Sequence, residues 1–511
     1  MLATILSGAV QGVDAIPVQV EVDLANGLPG CAVVGLPDAA IQESRERVRA
    51  ALRNAGYEYP QRRATINLAP GDVRKEGPLY DLPIAIGFLV ASGQLTPRDL
   101  PDTLLVGELA LDGAVRPVRG VLPLVLAARD AGCRRALVPA GNAPEAGLVP
   151  GIEVHPVESL AQAAAVLAHP AAHLPLAPPR PPEALPSAAD MPDLTEVRGQ
   201  ARARRALEIA AAGGHNMLLV GPPGSGKTML AARLPGILPP LAHDEALELT
   251  RLYSVAGLLG GREGLVTTRP FRAPHHSVSG AGLVGGTAVP RPGEVSLAHH
   301  GVLFLDELPE FRRDVLELLR QPLEDGRVTV SRAQASHTFP AAFALIAALN
   351  PCPCGHRGDA GRACTCSEGQ AARYWSRLSG PLLDRIDMHV AVPRLSEAEL
   401  LDARPAESSA QVRARVSAAR ERQARRLAGR SGPRLNARMG PAEVRRHARL
   451  DQASQGLLRE AVGRLALSGR AVDRLLKTGR TIADLAGEEA IAAEHLAEAL
   501  QLRATLPAGE R

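Results

Sequence analysis

The octapeptide GPPGSGKT, Gly221 to Thr228, matches the phosphate-binding pattern G-x-x-x-x-G-K-[ST] at every fixed position. In the loop Gly221, Pro222, Pro223, Gly224, Ser225 and Gly226, the N–H groups of the non-proline residues can converge on phosphate oxygens, and the following helix adds its partial positive charge. Lys227 is placed to reach the β- and γ-phosphates of ATP, and the Thr228 hydroxyl to ligate Mg²⁺. Farther along, the apolar run of GVLFLDEL ends in adjacent carboxylates, Asp306 and Glu307. One acid can order the Mg²⁺ hydration shell while the next polarises the attacking water. Alone, the pair would sooner be a helix cap for LPEFRRDVLELLRQPLE; alongside the phosphate loop, the catalytic reading is the better one. Asn350 closes another apolar strand, ALIAALN, and can bond the γ-phosphate or the lytic water. Arg385 stands between Asp384 and Asp387, either paired within the subunit or donated to a neighbour's phosphates. Arg470, in LSGRAVDRLL, is a candidate to close over the nucleotide from the same subunit.

A second group of residues points to a metal. Four of the six cysteines fall in CPCGHRGDAGRACTC, spaced C-x-C, nine residues, C-x-C. Thiolates of Cys352, Cys354, Cys364 and Cys366 can close a tetrahedral site suited to structural Zn²⁺. Two ligands so close together strain the backbone, which Gly355 and Gly361 can absorb. An iron–sulfur cluster is the chemical rival, and His356 could replace one thiolate. Cys31 and Cys133 read as small buried hydrophobes.

These groups need a scaffold larger than one core. At 511 residues, 46% apolar and 22% charged, the chain reads as a globular protein of several domains. No run of eighteen apolar residues is present, and the opening MLATILSGAVQGVDAIPVQV alternates like a strand without a basic leader. A cytoplasmic protein with no membrane partner is expected, a setting in which clustered cysteines favour a metal over disulfides. The net charge of +4 makes any nucleic-acid surface a local patch. Only three of the 58 basic residues are lysines, Lys75, Lys227 and Lys477. At Lys227 a compact ammonium suits phosphate where a guanidinium fork would not.

Hydrophobic periodicity predicts a multidomain α/β protein. Residues 1–168 read as a small α/β domain, with VQVEVDL a strand, AAIQESRERVRAALRNAG an amphipathic helix and YDLPIAIGFLVASGQL a buried one. Residues 169–193, rich in proline and alanine, read as a linker. Residues 194–393 carry the phosphate loop and apolar strands of a parallel sheet, with the cysteine loop 352–366 inside them; 394–511 read as a helical domain.

The motifs GQARARRALEIAAAGGHNMLLVGPPGSGKTMLA, FRAPHHSVSGAGLVGG, PGEVSLAHHGVLFLDELPEF and LNPCPCG closely resemble the magnesium-chelatase-like AAA+ ATPases, specifically their ComM/YifB branch. The likeness covers essentially the whole chain. It implies a P-loop core with a helical lid, Asp306 and Glu307 as the Walker B pair and Asn350 as sensor 1. It further implies Arg385 as the arginine finger and Arg470, or alternatively Arg474, as sensor 2. Such ATPases are generally ring hexamers, and this branch is associated with DNA branch migration during natural transformation. The N-terminal region resembles the proteolytic domain of Lon-type proteases through LAPGDVRKEGPLYDLPIAIGFLVASGQL and LLVGELALDGAVRPVRGVLPLVLAARDAGCRRALVP. The positions of the catalytic serine and lysine hold Leu79 and Leu122, which can neither attack nor ionise, and Lys75 and Ser92 lie off the motif. A non-catalytic scaffold is expected.

Two segments are expected to face the pore of a ring, FRAPHHSVSGAGLVGG and the hairpin-like RVTVSRAQASHTFP, with Arg272, His275, His276, Arg332 and His337 as contacts to branched, single-stranded or duplex DNA. Ordinary packed loops are the equal alternative. Residues 401–450 hold thirteen arginines against four acids, which reads first as solvated helix faces and second as a phosphate-tracking patch. The shortage of aromatics argues against base stacking. The expectation is a hexameric ATP-driven DNA motor; the alternatives are a chelatase-type remodeller acting on a protein client or on porphyrin metal insertion, and a scaffold with a silent ATPase.

Overall fold

The computed structural model describes residues 1–177, 191–260, 264–286, 291–331, 336–359, 361–401, 406–430, 432–465 and 467–503. Residues 178–190 of the expected linker, and Arg332, lie outside them.

The alternating N-terminal sequence makes an antiparallel pair, Leu2–Gln11 with Asp14–Ala25, turning at Gly12 with φ +67°. Val18, Val20, Val22 and Leu24 are buried while Gln19 and Asp23 are exposed, as period-two patterning requires. The pair lies inside a seven-stranded mixed sheet. Its order is Gly30–Val34, Arg63–Ala69, Asp14–Ala25, Leu2–Gln11, Thr103–Leu105, Arg135–Pro139, Glu153–Val157. Helix Ala39–Asn54 begins where the Asp38 carboxylate accepts the Ile41 N–H at 2.9 Å. Helix Asp81–Ala91 is buried on nearly every face, as its unbroken apolar sequence predicts.

No dyad is assembled at the Lon-like positions. Leu79 and Leu122 are both core residues. Lys75 is fully buried and donates to the Pro70 carbonyl, and Ser92 closes its own helix by donating to the Leu89 carbonyl at 3.2 Å. The Leu122 N–H points to the Glu145 carboxylate (3.3 Å), which also accepts from Asn142 at 2.6 Å and from Ser254 of the second half of the chain.

The second sheet is parallel throughout, in the order Phe271–Arg272, Val302–Leu305, Ala344–Leu349, Met217–Val220, Met388–Ala391. Val302–Leu305 and Met217–Val220 are buried at every position, because apolar clusters cover both faces. Helices Ser409–Arg426, Pro441–His447, Gln452–Leu465, Gly469–Ala486 and Ala493–Arg503 follow, matching the helical expectation. Among the described residues no helix is long and apolar enough to cross a membrane.

The structure corrects the solvated reading of the arginine-rich run only in part: Arg422, Arg425, Arg434, Arg445, Arg446 and Arg449 are exposed, while others are engaged. Arg413 donates to the Gly236 carbonyl and Arg420 to the Ala211 carbonyl (2.9 Å each), Arg415 pairs with Glu208, and Arg438 donates to the Leu323 carbonyl at 2.9 Å. They tie the helical segment to the parallel-sheet core. Arg426 and Arg480 converge on Asp484, which is buried together with Arg480, and Asn436 donates to the same carboxylate at 2.8 Å.

Asp484→Ala would leave Arg480 buried with only the carbonyls of Glu488 and Glu489. Stripping one partner from a buried pair costs about 3–5 kcal/mol. Chemical denaturation should show a loss of that order, and Arg422→Ala, on an exposed arginine of Ser409–Arg426, should cost under about 0.5 kcal/mol.

Candidate nucleotide site and its cysteine knuckle

Parallel register brings the chemistry to one edge. Val220 pairs with Leu349 and with Ala391, and Leu305 pairs with Ala347, so the residues after these strands emerge side by side. Gly221, Asp306 and Asn350 follow directly. The phosphate loop turns through Gly224 and Gly226, at φ +76° and +89°, into helix Lys227–Ala231.

Lys227 Nζ donates to the carbonyls of Gly221 at 2.7 Å and Pro222 at 2.9 Å, and to Asn350 Oδ1 at 3.2 Å. Burial pushes its ammonium below the usual lysine range, and Asp306 and Glu307 oppose that shift. The Thr228 hydroxyl donates to Asp306 Oδ2 at 2.7 Å, so the two oxygen donors expected at Mg²⁺ already touch. The Ser225 hydroxyl is buried inside the loop without a protein partner, as suits a cradle built for phosphate. These residues fit a nucleotide and its magnesium.

Glu307 is exposed and sits at φ +50°, a conformation disfavoured for a side chain of its size. Its carboxylate faces His276 Nδ1 at 3.5 Å. Exposure alternates from Arg272 to Ser279, so that Ala273, His275 and Ser277 point outward while Arg272, Pro274 and His276 are half-buried. The expected pore contacts therefore divide. His275 is exposed, its ring 4.0 Å from that of His276; His276 turns to the Glu307 carboxylate; Arg272 is held by Glu294 through bonds of 2.7 and 2.8 Å. The hairpin exists, Arg327–Ser331 with Ser336–Pro340, but it packs on the N-terminal sheet. Phe339 is buried beside Val13, and His337, half-buried, lies near Glu76; burial pushes the Glu76 carboxyl up, against the opposing charges of Arg74 and His337.

Arg385 is buried and paired within the subunit, though not with its flanking aspartates. Its partner is Glu324, and it also donates to the Pro381 carbonyl at 2.7 Å. Asp387 instead meets His215 at 3.3 Å and Arg474 at 2.7 Å. Burial pushes its carboxyl up, but the His215 bond and the Arg474 charge outweigh that and hold it well below the usual range. Of the two sensor 2 candidates, Arg474 is thus engaged beside strand Met388–Ala391, while Arg470 is exposed at the start of helix Gly469–Ala486.

The four cysteines come together as their spacing predicts. Cys352 Sγ is 3.4 Å from Cys354 Sγ and 3.6 Å from Cys364 Sγ, Cys354 and Cys364 are 3.6 Å apart, and all four sulfurs lie within 4.8 Å of one another. A tetrahedron with bonds of about 2.3 Å has edges of about 3.8 Å, so the donor set fits Zn²⁺. The Cys354 N–H points to Cys366 Sγ and the Cys366 N–H to Cys364 Sγ, both at 3.4 Å. His356 is not among the ligands; it faces Asp359 at 3.1 Å. Cys31 is half-buried and Cys133 buried, and burial raises both thiols.

A second grouping of metal-binding residue types, Glu248, His299 and His300, is better explained without a metal. His299 Nδ1 accepts the Ala342 N–H at 2.9 Å, so its Nε2 carries the hydrogen that faces Glu248 at 3.2 Å.

A parallel P-loop sheet ending in an Asp-Glu pair and a polar asparagine, followed by a helical domain, defines an AAA+ nucleotide-binding protein. The chain belongs to the magnesium chelatase ChlI family. Family models match residues 193–400 (magnesium chelatase, subunit ChlI), 20–142 (subunit ChlI of Mg-chelatase) and 406–503 (magnesium chelatase, subunit ChlI C-terminal). The protein YifB of Escherichia coli (strain K12) is 47% identical over 506 residues, covering 98% of this chain and 97% of that protein. The competence protein ComM of Haemophilus influenzae is 47% identical over 509 residues, with the same coverage. A Lon protease of Mycolicibacterium smegmatis is 29% identical over 175 residues, 32% of this chain and 22% of that one.

Lys227→Ala removes the cation that holds the loop carbonyls and Asn350. Nucleotide hydrolysis should fall by about 10²-fold or more, read by phosphate release. Circular dichroism should be unchanged.

Proposed function

We propose that this protein is a ring-forming ATPase motor on branched DNA, acting in the cytoplasm, away from membranes, as a homo-hexamer with structural zinc in its cysteine knuckle.

ATP hydrolysis would drive the movement of strands through the ring. One observation carries the reading. The segment from Arg272 to Ser279 presents His275 outward and sets His276 against Glu307, so a ligand on its outer face can reach the residue that polarises water. The likeness to a competence protein supports incoming DNA as that ligand.

The residues divide the work. The loop amides and Lys227 would hold the phosphates, Thr228 and Asp306 the Mg²⁺, and Asn350 the γ-phosphate side of the lytic water. Mg²⁺ would supply charge neutralisation on the β- and γ-phosphates. Glu307 would act as general base. While its carboxylate faces His276 Nδ1 at 3.5 Å, that base would be turned toward the segment and away from a lytic water. Displacing the segment would free it. Arg385 would reach a neighbour's phosphates only on leaving Glu324, which ties its use to assembly.

The deciding experiment is steady-state ATP hydrolysis with and without a synthetic three-way DNA junction. Stimulation by the junction is expected, and Glu307→Gln should abolish it. His276→Ala should raise hydrolysis in the absence of DNA several-fold and shrink the stimulation ratio, with nucleotide affinity unchanged. Hydrolysis indifferent to every DNA form would overturn the DNA reading and favour a protein or porphyrin-enzyme client.

A further inference from the structure

The cysteine knuckle does not stand apart from the phosphate loop. Strand Ala344–Leu349 delivers Asn350, and two residues later Cys352 is fully buried. The chain then turns tightly, the Gly355 N–H donating to the Cys352 carbonyl at 2.9 Å. Gly355 has φ +84° and lies flat on the phosphate loop: a Cβ there would stand 2.6 Å from Pro223 Cδ and 2.8 Å from Pro223 Cγ. On its other side Lys227 reaches Asn350 at 3.2 Å. The contacts close a ring, from Pro223 through the loop to Lys227, Asn350, Cys352 and Gly355 and back to Pro223. The Trp375 indole N–H fixes its corner at the Pro351 carbonyl (3.1 Å).

We propose that the knuckle is the back wall of the phosphate loop, with Gly355 as the positioning residue, so that metal held by the four cysteines and nucleotide held by the loop stabilise each other. The knuckle is short and carries little core of its own, so its shape depends on the sulfurs being held together. Loss of the metal releases Gly355 from Pro223 and lets the loop carbonyls and amides drift from the geometry that phosphate needs. Coupling between two sites is reciprocal: whatever factor the metal adds to nucleotide affinity, nucleotide must add to metal affinity. This inference rests on the reading of the two sites as nucleotide- and zinc-binding.

The test uses full-length protein and reads metal and nucleotide separately. Zinc content is measured by mass spectrometry, and zinc loss to a chromogenic chelator is followed with and without a non-hydrolysable ATP analogue and Mg²⁺. The analogue should slow zinc loss about fivefold or more. Fluorescent-nucleotide affinity should fall by a similar factor in stripped protein. Gly355→Ala should weaken nucleotide binding with zinc content retained. Gly358→Ala is the control, because Gly358 has a comparable φ of +75° but open space where a Cβ would go, and it should leave the affinity within about twofold. Absence of stoichiometric zinc overturns the metal reading and this inference with it. Zinc and nucleotide both bound, but with zinc loss indifferent to the analogue, overturns the inference alone; so does an equal effect of the two glycine variants. Should Gly355→Ala fail to fold, the wild-type zinc-loss rate still decides.

Discussion

Parallel strand register is the constraint on which the site depends. Hydrogen bonding in a parallel sheet ends neighbouring strands at a common edge, and here that edge holds Gly221, Asp306 and Asn350. No one of these residues is chemically unusual. Their value comes from the pairing of Val220 with Leu349 and of Leu305 with Ala347, which puts Thr228 in contact with Asp306 and Lys227 with Asn350. A slip in that pairing would separate the hydroxyl from the carboxylate, and apolar packing on both faces opposes such a slip.

That much was legible in the sequence, because it is local. A phosphate loop, apolar strands, alternating strands and paired C-x-C knuckles each state their geometry within a few residues. The partners of the long cations were not legible. Arg385 could be expected to pair with Asp384 or Asp387, yet it finds Glu324, which approaches only through tertiary packing. The arginines of Ser409–Arg426 looked like a solvated face because nothing in the helix itself reports that Glu208 or the Ala211 carbonyl will face it. His275 and His276 are adjacent and identical in type; only the turn that carries them, closed by the Val278 N–H on the His275 carbonyl at 3.0 Å, decides which one meets Glu307. Gly355 gave a partial signal, a glycine immediately after C-x-C, but its neighbour Pro223 is far away along the chain.

The rarity of lysine also acquires a physical account. Each of the three ammonium groups occupies a narrow site: Lys75 donates to the Pro70 carbonyl, Lys477 to the Ala437 carbonyl at 3.2 Å, and Lys227 to the loop carbonyls. Burial lowers all three below the usual lysine range. A planar fork with five donors would leave several unsatisfied in such places, whereas the arginines lie where carboxylates or several carbonyls can occupy the fork. The choice of cation thus follows the number of acceptors within reach.

Helix His243–Ala256 joins the two halves of the chain, and its contacts give the N-terminal sheet a role without catalysis. On one side Ser254 donates to Glu145, Arg251 pairs with Asp14, and the Ser254 carbonyl accepts the Gly120 N–H at 3.1 Å. On the other side Glu248 meets His299 and His300, the residues that lead into strand Val302–Leu305, and Tyr253 donates to the Leu297 carbonyl at 3.1 Å. The two histidines outweigh burial and hold the Glu248 carboxyl well below its usual range. The strand that presents Asp306 and Glu307 is therefore braced through one helix against the N-terminal domain, whose core holds Leu79 and Leu122. Apolar side chains at those two positions suit a domain that must pack, and beside Leu122 the Glu145 carboxylate is shared with Ser254 of the bracing helix.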